Sequence, residues 1–397
     1  MRRRTLPAAA GMAMAVITAS AATMLATASE HPALAATLTD NWYASAPYLM
    51  PVSNNPPDPT VVMSATGQKA FQLAFILAPN GGGCSPTWDG TKPVSSDTAV
   101  AGVISRIRGA GGDVSVSVGG YGGTKLGQTC GSAAATAAAY QQVISKYSLR
   151  AIDFDLEEPE YENSAAIANE LGAAKTLQAN NPGLFVSVTM PGTAAGTGWF
   201  GTQLLDQARS IGLGPNNFSI MPFDGGFNGG SSQVSALEGF HGLLMTHMGW
   251  DSNTAYTHMG FSGMNGKSDV SEIFTTNDFQ TVYDYAVGHH MGRFTFWSVN
   301  RDRPCVGTSD NGVCSNISQN PWDFTRFSTR WANASPPNLP PPTTKPPGPC
   351  SAPEWVSTNV YVKDNQVSHN KHTWTAKWWT QNEEPGRADV WADNGPC

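Results

Sequence analysis

The feature that most constrains the fold is a regular alternation of apolar, strand-like runs with amphipathic stretches before residue 334. Runs such as FQLAFILA and FTFWSV are apolar almost throughout, which is typical of parallel strands covered on both faces. Strands are predicted at 42–49, 71–78, 113–118, 151–157, 184–190, 217–223, 256–261 and 293–298, and helices at 95–109, 133–147, 162–178, 200–211, 231–247 and 277–289. Eight β/α units in about 300 residues favour an α/β fold with a closed barrel of eight parallel strands. An open doubly wound sheet is the alternative, but no G-x-G-x-x-G motif opens a helix after the first strand.

A proline-rich segment divides the chain into a large and a small domain. Residues 335–349 read SPPNLPPPTTKPPGP, with eight prolines in fifteen positions. Such a segment cannot form a helix or pair in a sheet, and it behaves as a semi-rigid polyproline II spacer. We therefore predict a barrel domain over 36–334, a linker over 335–349, and a small all-β domain over 350–397.

The N-terminus predicts export from the cell. Three arginines follow Met1, an apolar, alanine-rich run comes next, and ALA at 33–35 resembles a cleavage site. We interpret residues 1–35 as the secretory signal peptide of an extracellular protein, with a retained membrane anchor as the alternative. Removing this segment takes away three arginines and Glu30, which shifts the formal net charge from −7 to −9. An acidic protein has no electrostatic attraction to nucleic acid or anionic lipid, so we expect neither as a partner.

Six cysteines in an exported chain indicate three disulfide bonds. From their positions we expect the pairs Cys84–Cys130, Cys305–Cys314 and Cys350–Cys397, the last of which brackets the small domain. Zinc is the competing interpretation, but no C-x-x-C spacing supports it. We expect neither a metal ion nor another cofactor.

The segment LRAIDFDLEE, residues 149–158, carries the strongest functional signal. Because side chains of a strand alternate between its faces, Asp153, Asp155 and Glu157 share one face and the apolar residues between them share the other. In a barrel the apolar face meets the helices, so the acids should point inward and rise toward the carboxyl end of the strand. Desolvation and mutual repulsion oppose ionisation, so at least one acid should hold a proton near neutral pH. An exposed acidic edge strand and a metal site are the alternatives.

This segment resembles the D-x-x-D-x-D-x-E signature of glycoside hydrolase family 18, whose catalytic domains are TIM barrels. The resemblance implies that Glu157 protonates the leaving oxygen, that Asp155 orients the acetamido group of the substrate, and that Asp153 shares a proton with Asp155. It also implies that the substrate's own N-acetyl oxygen attacks the anomeric carbon, with retention of configuration. The first Asp of the signature is Arg150 here, which lies before the catalytic row.

Two further segments resemble motifs of the same family. The sequence SVGG at 117–120 resembles S-x-G-G, and Ser117 could donate a hydrogen bond to the inner acid. In the eighth predicted strand, Trp297 matches the tryptophan that lies beneath the cleaved sugar, and its flat apolar ring suits the C–H face of a pyranose. The alternative for Trp297 is plain core packing.

The sequence MPFD at 221–224 resembles the M-x-Y-D motif of the family. The resemblance implies that Met221, Phe223 and Asp224 line the substrate site, with Asp224 contacting the sugar or its acetamido group. Phe223 replaces the usual tyrosine, so the hydroxyl that would hold the acetamido oxygen is missing. The alternative for Asp224 is a strand-end cap of the next loop.

The C-terminal domain holds five of the twelve tryptophans. The sequence AKWWTQ at 376–381, followed by EPG, resembles chitin-binding modules of carbohydrate-binding families 5 and 12. The resemblance implies that Trp378 and Trp379 form a flat stacking surface, and we add Tyr361 as a further candidate for chitin binding. We assign the remaining tryptophans of this domain to its small core: Trp355, Trp374 and Trp391.

Together these features predict a secreted, monomeric chitinase that binds chitin and chitooligosaccharides. Little sequence separates the seventh and eighth strands, which leaves no room for an inserted subdomain, so we expect a shallow groove and endo-type cleavage. An endo-β-N-acetylglucosaminidase acting on N-glycans is one alternative. A catalytically inactive chitin-binding lectin is another, although such proteins usually lack the acid that Glu157 supplies.

Overall fold

The structure is a computed structural model that describes residues 38–334 and 350–397. The predicted signal peptide and the predicted linker lie outside these described residues. Within them, every helix is too short or too polar to span a membrane.

The strands and helices of the described residues follow in chain order. The strands are β1 Tyr48–Leu49, β2 Ala70–Leu77, β3 Thr87–Trp88, β4 Lys92–Pro93, β5 Asp113–Gly119, β6 Ala151–Asp155, β7 Phe185–Pro191, β8 Asn217–Met221, β9 Met259–Met264, β10 Gly266–Lys267, β11 Ile273–Phe274, β12 Arg293–Trp297, β13 Val360–Tyr361, β14 Gln366–His369, β15 His372–Ala376, β16 Thr380–Gln381 and β17 Trp391–Pro396. The helices are α1 Asp40–Ala44, α2 Pro59–Thr66, α3 Ala99–Gly109, α4 Leu126–Thr129, α5 Ala133–Tyr147, α6 Ser164–Asn180, α7 Trp199–Ser210, α8 Gly229–Leu243, α9 Ser252–Thr257, α10 Thr276–Gly288 and α11 Asp323–Ala334. A π-helical turn, Leu244–Met248, extends α8.

Eight parallel strands form one curled sheet in the order β1-β2-β5-β6-β7-β8-β9-β12. Side chains connect its two ends, because Thr295 Oγ1 donates to the carbonyl of Ala46 at 2.6 Å and Asn300 Nδ2 donates to the carbonyl of Met50 at 3.1 Å. The helices cover the outside of the sheet. This architecture confirms the predicted α/β class and TIM-barrel fold.

Local sequence explains why the elements around β6 form. Helix α5 is alanine-rich, and Ser132 caps its first turn by accepting a hydrogen bond from the backbone N–H of Ala135. The apolar side chains of β6 are fully buried between the sheet and the helices, as the ring of Phe154 shows by packing edge-to-face against Tyr140 of α5 at 5.6 Å. The face opposite Phe154 is therefore directed into the barrel, as the alternation of apolar and acidic residues predicts.

The first predicted strand, 42–49, is wrong over most of its length. Residues 40–44 form helix α1, whose apolar side chains are buried, and only Tyr48–Leu49 join the sheet. A short buried run is apolar in either conformation, so the composition of this segment does not distinguish a helix from a strand. Helix α2 was not predicted either, although Asp58 caps it and Pro59 occupies its first position.

The C-terminal domain is a small all-β unit, as predicted. Strands β14, β15 and β17 form an antiparallel sheet, and β13 pairs with β16. Trp391 is buried in its core, with Trp355 and Trp374 packed against it, as assigned from sequence. The assignment of Tyr361 to chitin binding needs correction: its ring is only 8% exposed, packs on Trp391, and its hydroxyl accepts a hydrogen bond from the backbone N–H of Val356. Its hydroxyl is thus satisfied inside the small core.

All six cysteines form the predicted disulfide bonds, which are Cys84–Cys130, Cys305–Cys314 and Cys350–Cys397. The third closes a loop around the whole C-terminal domain, whose hydrophobic core is small. In the chain-entropy model a loop of this length contributes about 4 kcal/mol to stability. The disulfide therefore supplies stability that such a small domain cannot obtain from its core alone.

Candidate active site

The acidic row lies on the inner face of β6, as the alternating sequence predicts. Asp153 and Asp155 are buried within the barrel. Glu157 lies two residues past the end of the strand, at the carboxyl-terminal rim, and is partly exposed. Asp155 and Glu157 both line a cleft of about 800 Å³. The exposed acidic edge strand considered above is therefore excluded.

Asp153, the innermost acid, is surrounded by donors. One carboxylate oxygen accepts hydrogen bonds from Tyr48, Gln72 and Ser117, and the other accepts from Ser187 and Thr189, at distances between 2.5 and 3.0 Å. Arg293 adds an ion pair at 2.9 Å to the second oxygen. Six contacts thus compensate the cost of burying this carboxylate. The hydrogen bond from Ser117 is the one that the sequence predicts.

Asp155 lies next in the row and has the opposite surroundings. Its Oδ1 is buried and has no hydrogen-bond partner among the described residues. Burial raises the pKa of Asp155 well above its usual value, and the charges of Glu157 and Asp153 raise it further. Arg293 and Tyr48 oppose this shift without cancelling it. The surroundings of Asp155 therefore favour its protonated form.

Glu157, at the rim, is the group positioned to give up a proton. Burial raises its pKa to about 7, and Glu158, Asp224 and Asp269 raise it through their negative charges. Lys125 opposes them and lowers the pKa. A carboxyl group with a pKa near 7 is present in both its acid and its base form at neutral pH, which suits a residue that must donate and then accept a proton.

Lys125 is a buried cation that sequence reasoning missed. Its ammonium group donates to the backbone carbonyls of Gly120 and Gly122, at the carboxyl end of β5. Burial lowers its pKa, and nearby acids, Glu160 and Glu157 among them, oppose that shift. Lys125 thus brings a positive charge behind the rim on which Glu157 lies.

Aromatic rings form one wall of the cleft. Trp297 ends β12 and is partly exposed, so it is not plain core packing. Its ring stacks on Phe75 at 5.5 Å with an interplanar angle of 11°, and Tyr48 contacts it edge-on at 5.7 Å. These contacts fix the orientation of the indole and leave it facing the cleft.

The MPFD segment forms the other wall. Met221, Phe223 and Asp224 all line the cleft. Asp224 adopts a left-handed conformation, with φ of 57°, and its Oδ1 accepts a hydrogen bond from the backbone N–H of Val270 at 3.0 Å. Glu272 holds the same turn in place, because its carboxylate accepts from the N–H of Asp224 and of the two residues that follow Gly225. The hairpin formed by β10 and β11 thus positions this wall.

Several residues of the inner cluster were not predicted. Tyr48, Gln72, Ser187, Thr189 and Arg293 all contact Asp153. Each is a polar residue within or beside an otherwise apolar strand, which is a recognisable signal of an inward position with a partner. The sequence does not show which partner, because the strands meet only in the folded barrel. Within the described residues, no group of three or more His, Cys, Asp or Glu side chains could hold a metal ion.

A second candidate surface lies on the C-terminal domain. Trp378 is 53% and Trp379 is 60% exposed, as predicted for a stacking surface. Large apolar rings are rarely left in water on so small a domain unless they contact a ligand. The pair therefore fits a flat apolar ligand face.

The chain is similar to several known proteins. Residues 354–392 match carbohydrate-binding module family 5/12. A protein of Escherichia coli (strain K12) named probable bifunctional chitinase/lysozyme is 27% identical over 277 residues, which cover 65% of this chain and 31% of that protein. Endochitinase 11 of Metarhizium anisopliae is 25% identical over 286 residues, which cover 66% of this chain and 53% of that protein. The catalytic domain of a hyperthermophilic chitinase from Pyrococcus furiosus matches with a TM-score of 0.66 at 23% identity, covering 76% of this chain and 97% of that one.

The chain therefore spans about a third to a half of the length of the two curated relatives. The Pyrococcus furiosus structure shows that the barrel shares the fold of that catalytic domain. The relatives and the family match confirm the expected resemblance to chitinases and the expected chitin-binding type of module.

Proposed function

We propose that this chain is a chitinase, which hydrolyses β-1,4 bonds of N-acetylglucosamine polymers with Glu157 as the general acid and base. One observation carries the proposal: Glu157, with a pKa of about 7, lies at the rim of a cleft directly beyond the buried Asp155, whose pKa is also raised. The sequence relatives are named as chitinases, which supports chitin as the substrate. The C-terminal carbohydrate-binding module supports action on insoluble chitin. The three disulfide bonds are consistent with an extracellular protein.

The geometry supports a substrate-assisted mechanism. The acid form of Glu157 donates its proton to the glycosidic oxygen while the acetamido oxygen of the same sugar attacks the anomeric carbon, which breaks the glycosidic bond and gives a cyclic oxazolinium ion. Asp155 lies deeper in the cleft, where its ionised form can accept a hydrogen bond from the acetamido N–H and stabilise the positive charge of this intermediate. The carboxylate of Glu157 then takes a proton from water, and the resulting hydroxide attacks the anomeric carbon. Two displacements at one carbon retain its configuration.

The shape of the cleft supports cleavage at internal bonds of a chitin chain. Residues 265–292 hold only the β10–β11 hairpin and helix α10, so no inserted subdomain closes the groove on that side. An open groove accepts a chain along its length, and we propose endo-type cleavage on this basis. Labelled oligomers should then give products of several lengths at the earliest times, and a predominance of dimers would contradict it.

The test compares the full chain with its Glu157→Gln variant on colloidal chitin. We expect the variant to lose about 10²- to 10⁴-fold in rate, the range for removing a general acid and base, while it still sediments with chitin. Proton NMR of the first product formed by the wild type should show the β-anomer. Unchanged hydrolysis in the variant, or an α-anomer as first product, would refute the assigned mechanism.

A further inference from the structure

Exposed tryptophans mark a third aromatic surface in this chain. Of its twelve tryptophans, all within the described residues, only three are exposed: Trp378 and Trp379 of the module, and Trp199, which is 65% exposed. Trp199 is the first residue of α7. Because α7 follows the loop after β7, Trp199 lies at the same barrel rim as Glu157. The catalytic cleft does not include it.

The ring of Trp199 is supported by a second aromatic ring. It contacts Phe200 edge-to-face at 4.9 Å, and Phe200 in turn packs on Tyr161 at 6.0 Å. The hydroxyls of Tyr161 and Thr197 are hydrogen-bonded at 3.0 Å, which fixes this support. A ligand that stacks on Trp199 therefore meets a pre-oriented ring and does not have to order it.

The module is docked on the same face of α7. Residues four and seven positions apart share a helix face, and Asp206 lies two turns along α7 from Trp199. One oxygen of Asp206 contacts His372 Nε2 of the module at 2.8 Å, and the other is hydrogen-bonded to His247 at 2.8 Å. Burial opposes a charge on His372, but its contacts with Asp206 and Asp393 outweigh burial and raise its pKa to about 9. His372 is therefore charged at neutral pH and holds the module against the barrel.

Docking leaves a groove between Trp199 and the module. This cavity of about 610 Å³ is lined by Trp199 and Gln203 of α7 and, across from them, by Trp374, Lys377 and Glu384 of the module. The volume lies within the range of small-ligand sites. An aromatic face bordered by amide, ammonium and carboxylate groups is the composition that binds a sugar, whose rings carry an apolar face and polar edges.

The groove lies next in sequence to the stacking surface of the module. Strand β15 begins at His372, beside Asp206, and ends at Ala376, and the next residue, Lys377, lines the groove with Trp199. Trp378 and Trp379 follow directly in sequence. Lys377 thus connects the groove that Trp199 lines to the stacking surface of the module.

We propose that Trp199, together with the module side chains that face it, forms an additional saccharide-binding site, which takes N-acetylglucosamine units of a chitin chain between the module and the catalytic cleft. This inference rests on the proposed function for its ligand. On this proposal, the docking of the module on the barrel helps to guide the chitin chain to Glu157.

The test measures the full-length chain on crystalline chitin and on soluble chitotetraose. Trp199→Ala should lower the rate on crystalline chitin about 3- to 10-fold, the effect of losing one stacking contact of about 1 kcal/mol, and leave the rate on chitotetraose unchanged. Trp199→Phe should restore most of the loss because it keeps a flat ring. Val61→Ala, an exposed apolar residue on α2, is the control and should change neither rate. Equal rates for Trp199→Ala and wild type on crystalline chitin, or equal losses on both substrates, would overturn the proposal.

A binding measurement separates this inference from the proposed function. In the Glu157→Gln background, where hydrolysis is slowed, Trp199→Ala should reduce the fraction of protein retained on crystalline chitin. If the wild type cleaves neither substrate, the proposed function fails, and retention still decides whether Trp199 binds chitin. Asp206→Asn should cause a similar loss, and the double variant with Trp199→Ala should lose no more than either single one, because the groove requires docking. Additive losses would show that Trp199 acts without the module.

Discussion

The floor and the mouth of the barrel hold acids of the same row in opposite environments. At the floor, Asp153 has six polar contacts, including the ion pair with Arg293. At the mouth, Asp155 has an oxygen without a partner among the described residues, and the pKa of Glu157 is raised to about 7. Two residues along one strand thus separate a carboxylate with six polar contacts from a carboxyl group that has an oxygen without a partner in the described part of the chain.

This difference distinguishes a structural role for Asp153 from a chemical role for Asp155 and Glu157. The sequence pattern alone does not distinguish these roles. The floor stabilises the barrel, because its donors come from several strands and join them through one carboxylate. The mouth reduces the stability of the fold, because burial opposes the ionisation of Asp155 and Glu157. The same burial raises the pKa of both groups, which keeps a proton available for transfer. Substitutions at the two levels should therefore differ in whether they affect folding or chemistry.

Asp153→Ala should have the largest effect on stability. It removes one partner of a buried ion pair and leaves Arg293 uncompensated, so we expect a loss of about 3–5 kcal/mol in urea unfolding. Asp153→Leu combined with Arg293→Met is the matched control, because removing both charges should recover much of that loss. If Asp153→Ala unfolds at the wild-type urea concentration, the floor has no structural role.

Asp155→Asn should affect chemistry and leave the fold intact. The substitution keeps the shape of a carboxyl group whose charged form burial disfavours, so the free energy of urea unfolding should stay within about 0.5 kcal/mol of wild type or rise. The rate on soluble chitooligosaccharides should fall about 100-fold or more, because an amide, unlike a carboxyl group, cannot lose a proton to supply the negative charge that stabilises the intermediate. A large loss of stability with little change in rate would reverse the comparison between floor and mouth.

The sequence predicts the mouth better than the floor. The alternation of Asp153, Asp155 and Glu157 with apolar residues lies within one strand, so its inward direction follows from local geometry alone. The partners of Asp153 come from residues as distant as Tyr48 and Arg293. Their convergence depends on the order and register of the strands, which local patterns do not contain.

Errors in the predicted fold have a similar origin. The run 42–49 is apolar because it is buried, and its helical first half is determined by its packing against the rest of the barrel. Tyr361 was assigned to the binding surface from its residue type, yet its ring fills the core of the small domain. Aromatic residues are common in both places, so only the structure distinguishes them.

The pH profile should show how the mouth is tuned. Glu157 must be protonated to act, so kcat/KM on chitooligosaccharides should fall as the pH rises through about 7. Lys125 lowers the pKa of Glu157, so Lys125→Met should raise it and move this fall to higher pH, by up to about one unit. Lys146→Met, which removes an exposed lysine of α5, should leave the profile unchanged. A shift to lower pH in Lys125→Met would show that Lys125 does not act through its charge.

Ser117→Ala should have the smallest effect, because Asp153 keeps its other contacts. The substitution removes one hydrogen bond of 2.8 Å from a fully buried hydroxyl, which costs about 1 kcal/mol in unfolding free energy. Ser145→Ala, an exposed serine on α5, should change stability by less than about 0.5 kcal/mol. The rate of Ser117→Ala should fall only slightly, since Asp155 and Glu157 keep their surroundings. A rate loss as large as that of Asp155→Asn would mean that the floor controls the chemistry of the mouth, and that the two levels act as one unit.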